Sequence, residues 1–130
     1  MSIYSKMDVD FVVATDASYK NLVWSRENDA LNQVIRTDQT VHSAGVASIA
    51  PSGSFVVPMG DVGTGTMLLI RADQEITAVF NGGAEEITVK PIGAYPGLLA
   101  LNGELTALTL ANQSATSSAT VEYCVVGVEA

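Results

Sequence analysis

Charge is scarce in this chain: 15% of its 130 residues are charged, against roughly 25% in an average soluble protein. It has one cysteine, Cys124, and one histidine, His42. A lone cysteine excludes an internal disulfide and a zinc cluster built from thiolates. A lone histidine excludes metal sites that need two or three imidazoles. Six bases (Lys6, Lys20, Arg26, Arg36, Arg71 and Lys90) are scattered among 14 acids, for a net charge of −8. Nucleic-acid affinity comes largely from Lys and Arg neutralising phosphates, so that partner is argued against. An acidic chain is also repelled by anionic membranes. The longest aliphatic runs, such as Met67 to Ile70, fall far short of the roughly 20 residues a membrane helix needs. The opening MSIYSKMDVDF lacks the apolar stretch of a signal peptide, so synthesis and folding in the cytosol are expected.

Apolar residues, by contrast, make up 48% of the chain. That content argues against disorder, and a chain of this length buries roughly two-thirds of its unfolded surface as one domain. With little charge available, much of the surface must be Ser, Thr, Ala, Gly and Asn. Such a surface loses water cheaply and suits contact between subunits; an unremarkable monomer surface fits it equally well.

Patterning predicts strands. Leu108 and Leu110 alternate with Thr109, and Val121, Tyr123 and Val125 alternate with Glu122 and Cys124. This period of two marks strands with one buried face. Asn102-Gly103 is a strong signal for a two-residue hairpin turn, since both residues tolerate positive φ. Asn81-Gly82-Gly83 predicts a second hairpin, between Ile76–Phe80 and Glu85–Val89, with Ile87 and Val89 facing inward. Pro96-Gly97 suits the centre of a type II turn. Further strands are expected over 8–15, 41–50 and 54–57. Thr66 to Arg71 is apolar on both faces, which predicts a central strand or one covered on both sides. Gly60 to Gly65 reads as a long connection, because it lacks the Lys-Ser/Thr ending of a phosphate-binding loop. Between 17 and 36 the pattern is irregular; Ser25 would cap a short helix with Leu31, Val34 and Ile35 as its apolar stripe. Roughly eight to ten short strands with little helix predict an all-β, antiparallel β-sandwich, jelly-roll-like. The predicted layout is an irregular N-terminal arm over residues 1–8, then one sandwich domain over 9–130.

No constellation selects a catalytic, cofactor or metal site. His42 lacks a Gly-x-Ser-x-Gly context for nucleophilic catalysis and reads as a surface or contact histidine. Cys124 has no basic neighbour to lower its pKa. The acid pairs Asp8/Asp10, Asp73/Glu75 and Glu85/Glu86 do not form the dense loop that calcium requires. Charged edge strands explain them more simply. Trp24, near Tyr19 and Leu22, reads as a core or interface anchor, with sugar stacking as the alternative.

From Leu98 to Gly127 the text LLALNGELTALTLANQSATSSATVEYCVVG resembles the closing segment of small β-sandwich structural proteins of tailed bacteriophages. The elements concerned are Leu108-Thr109-Leu110, Asn112, the small polar loop Gln113 to Ser118, and a last strand Ala119 to Gly127. The likeness covers a little over the C-terminal half and is one of pattern rather than of a specific motif. It implies no enzyme and no cofactor. What it implies instead is a head decoration (cement) protein on the capsid exterior of a virion, made in the host cytoplasm. Its expected partners are the major capsid protein and other copies of itself, as a trimer or else a dimer. The alternatives are a tail-fibre or receptor-binding module, another tail structural part, and a carbohydrate-binding sandwich. Ile3, Tyr4, Asp8, Asp10 and Trp24 are the expected interface residues.

Overall fold

A computed structural model describes residues 3–8, 11–15, 17–18, 20, 22–26, 33–83 and 85–130. Among these residues there is no helix. Twelve strands run in chain order: β1 (Ile3–Asp8), β2 (Phe11–Ala14), β3 (Leu22–Arg26), β4 (Gln33–Gln39), β5 (Val41–Ile49), β6 (Ser54–Val56), β7 (Val62–Ala72), β8 (Ile76–Phe80), β9 (Glu85–Val89), β10 (Gly97–Leu105), β11 (Leu108–Asn112) and β12 (Ala119–Glu129).

The last eight strands form two four-stranded antiparallel sheets, ordered β10-β7-β12-β5 and β6-β11-β8-β9. Their pairing follows one rule. β8 pairs with β9, β7 with β10, β6 with β11 and β5 with β12. The chain is therefore a long hairpin whose tip is the β8–β9 turn. Two further ladders, β12 with β7 and β11 with β8, close this hairpin into two sheets. Eight strands wound this way make an antiparallel β-sandwich with jelly-roll topology.

The sheets meet through the alternation legible in the sequence. Ile49, Leu68, Ile70, Val121, Tyr123 and Val125 face inward from one sheet. From the other come Ile76, Phe80, Leu108 and Leu110. Burying each of the larger aliphatic side chains contributes about 1.5–3 kcal/mol. Phe55 and Tyr123 pack across the sandwich with ring centroids 5.9 Å apart. The one buried amide at this level, Asn112, donates to the carbonyls of Ile49, Ala50 and Ser117 at 3.1, 3.2 and 2.8 Å. Its Oδ1 accepts from the Ser114 N–H at 2.9 Å. The small polar loop after β11 is thus tied to the end of β5.

The N-terminal strands are nested in the same out-and-back manner: β1 pairs with β4, and β2 with β3. Ile3–Asp8, expected to be irregular, is a strand because β4 runs antiparallel beside it and supplies its ladder partners. The expected helix is likewise replaced. Ser25 lies in β3, while Val34 and Ile35 lie in β4 opposite Met7 and Lys6. So short a helix is marginal in water, and β-branched Val34, Ile35 and Thr37 suit a pleated strand better. Leu31 of that expectation lies outside the described residues, as do residues 9 and 10 of the strand predicted over 8–15. β4 is anchored to the sandwich by Gln39. This fully buried side chain donates from Nε2 to Thr66 Oγ1 at 2.7 Å, and Thr66 Oγ1 donates to the Val126 carbonyl at 3.3 Å.

Three turn or loop expectations are corrected. Asn102-Gly103 lies inside β10, without positive φ, because Leu98 to Asn102 continue an unbroken ladder with β7. The segment from 98 to 105 is therefore one strand, not two. Gly97 starts that strand, and the turn before it is made by Ile92 to Tyr95 around Gly93 at φ 61°. Most of the glycine-rich stretch is strand rather than loop: β7 begins at Val62, leaving only Gly60 and Asp61 in the turn. Ile87 stands opposite fully buried Ala78, on the side expected, but is 39% exposed because β9 is the edge strand of its sheet.

Candidate functional site

The side chains suited to chemistry are dispersed. His42 is exposed on β5 opposite Val126. Asp73 caps the end of β7: its Oδ1 accepts from the Thr120 N–H at 2.7 Å. Glu75 pairs with Lys90 at 3.7 Å on the surface. Glu85 and Glu86 are exposed on β9. Among the described residues no three His, Cys, Asp or Glu side chains converge as a metal would need.

The expected interface residues are not brought onto one described surface. Ile3 is half-buried and Tyr4 is 75% exposed, both on β1. Asp8 ends that strand opposite Gln33, and Trp24 sits in β3 opposite Val13, in a different two-stranded sheet. Asp10 lies outside the described residues.

What the fold does assemble is an apolar outer face on the β10-β7-β12-β5 sheet. Val46 is 68% exposed, Leu69 46% and Leu98 65%. Together with Arg71, Glu122 and half-buried Cys124 they line an open groove of ≈ 600 Å³. Register fixes the arrangement. Leu98, Arg71, Glu122 and Val46 stand level across the four strands; Ala100, Leu69, Cys124 and Ala44 form the next row on the same face. Partial burial in this apolar setting pushes the Cys124 thiol pKa up, away from a reactive thiolate.

Just before β10, the uncharged run Pro91-Ile92-Gly93-Ala94-Tyr95-Pro96 forms a turn that holds Ile92 and Tyr95 exposed at 75% and 77%. Sequence reasoning missed both features. Their signals were present: a strand apolar on both faces at 66–71, and four consecutive uncharged residues between two prolines.

No protein-family model, no curated protein and no solved structure matches the chain. Any functional reading therefore rests on the molecule's own surfaces.

Proposed function

We propose that this chain is a structural subunit that works by adhesion. In this reading it is a decoration protein that binds the outside of a phage head and reinforces contacts between capsomers. The observation that carries the reading is the exposed apolar surface: Val46, Leu69 and Leu98 on a rigid sheet, and Ile92 and Tyr95 on the neighbouring turn. Exposed apolar patches of this kind mark interaction surfaces. A sheet face presents them with little entropy to lose on docking. The jelly-roll architecture, which viral capsid domains share with lectins, agrees with the reading without requiring it. Many copies on a shell would multiply a modest contact through effective concentration.

Exposed Tyr95 favours one rival, a receptor- or sugar-binding module in which the ring stacks on a glycan. Quantitative mass spectrometry of purified particles separates the two. The decoration role predicts the chain in fixed ratio to the major capsid protein. Its absence from particles, together with glycan binding lost in Tyr95→Ala, would replace the role with the rival.

A further inference from the structure

The outer face of the β10-β7-β12-β5 sheet is complementary to itself, and we infer that it pairs with the same face of a second copy. The pairing is about a two-fold axis that runs along the strands between β7 and β12. This inference rests on the adhesive reading above; it assigns the sheet face to a second copy and leaves Ile92 and Tyr95 on the turn for the shell.

The argument is one of position. Adjacent strands are about 4.8 Å apart and stacked sheets about 10 Å apart. A two-fold axis midway between two stacked faces, parallel to the strands, exchanges β7 with β12 and β10 with β5. Applied to the first row, it sets Arg71 over the second copy's Glu122, and Glu122 over the second copy's Arg71. In the same operation Leu98 meets Val46, Leu69 meets Cys124, and Ala100 meets Ala44. Every apolar position finds an apolar one, and both charges find their opposites. The roughly 30° rotation usual between aligned sheets moves the outer strands most and leaves the central Arg71/Glu122 positions nearly superposed.

Charge also rejects the other simple arrangement. A two-fold across the strands at the same level would place Arg71 on Arg71 and Glu122 on Glu122. Neither side chain has an ion-pair partner among the described residues, so both are available to a second copy. The two rows carry one cation and one anion and sum to zero, whereas the chain as a whole carries −8. Two copies therefore meet least repulsion here. An isologous contact of this form closes on itself and stops at two.

Sedimentation equilibrium of the full chain through the micromolar range tests the pairing. The wild type should move from the mass of one chain to that of two. Arg71→Glu and Glu122→Arg each place like charges at both crossing points and should weaken association on the order of 10-fold or more. Both positions are exposed on the sheet surface, so folding should survive, and circular dichroism checks it. An equimolar mixture of the two variants should associate again, because each substituted side chain then faces its opposite. A wild type that stays monomeric or forms trimers would overturn the pairing, as would variants that associate unchanged or a mixture that does not recover. A monomer still present on particles would sink the pairing alone. An intact pair absent from particles would sink the decoration role alone.

Discussion

Asn112 shows what a single residue contributes. Its amide is the hub of four hydrogen bonds in a spot that is 3% exposed. Asn112→Ala removes the side-chain donor to the carbonyls of Ile49 and Ser117, while the Ala50 carbonyl keeps the Gly53 N–H at 2.8 Å. Leaving buried polar groups unsatisfied costs about 1–3 kcal/mol. Urea unfolding of the variant should thus show a stability loss of about 2–3 kcal/mol with an unchanged m-value. The residue was visible in sequence as the asparagine that follows Leu108-Thr109-Leu110. Its role was not, because two of its partners, Ile49 and Ala50, lie more than sixty positions away in the chain. Trp24, a conspicuous residue type in the sequence, lies in β3, in a two-stranded sheet separate from that of β1.

At the scale of elements, two asparagine-glycine signals had different fates. Asn81 adopts φ 52° and Gly82 φ 74°, turning β8 into β9. The Asn81 side chain accepts from the Thr106 N–H at 2.7 Å, so this turn is also held to the β10–β11 connection. Asn102-Gly103 has the same local chemistry, yet β10 runs on through it, with only a register shift against β7 between Asn102 and Leu105. Turn propensity is worth little against the continuing ladder of a strand in a sheet. The glycines at the other end of β7 were misjudged for a related reason. They look like loop residues, but they allow close approach between strands. A Cβ on Gly127 would lie 2.0 Å from the Thr64 carbonyl oxygen, and one on Gly65 would lie 2.7 Å from a Val125 methyl. The β7–β12 ladder shifts register here, between Val126 and Gly127. Gly127→Ala should therefore destabilise the fold by roughly 2–3 kcal/mol, as overpacking does. Thermal denaturation beside the control Gly103→Ala checks it, since the nearest heavy atom to a Cβ at Gly103 is 3.9 Å away.

On the whole-molecule scale, the sandwich was legible because its signals are local and redundant. Period-two alternation in β11 and β12, one true hairpin and the absence of helical stripes all point to two packed antiparallel sheets. Of the N-terminal strands only β2, inside the strand predicted over 8–15, was legible; β1 and β4 were not, since they are defined mainly by pairing with each other across some thirty residues. The proposed contact face was not legible for a similar reason. Leu98, Arg71, Glu122 and Val46 come from four strands spread over much of the chain, and only the register sets them in one row. Few charges, an exposed apolar sheet and a thiol with a raised pKa agree with the proposed adhesive role.

The most direct test of that account is the alkylation rate of Cys124, the only cysteine and a member of the proposed contact face. Measured with a small maleimide over a protein concentration series at mildly alkaline pH, the rate constant should already lie below that of a free thiol in the most dilute sample, because burial disfavours the thiolate. It should then fall further as concentration rises and the face is covered, with the decline abolished in Arg71→Glu. A rate constant independent of concentration up to the highest reached would contradict the account, showing that this face stays open to solvent.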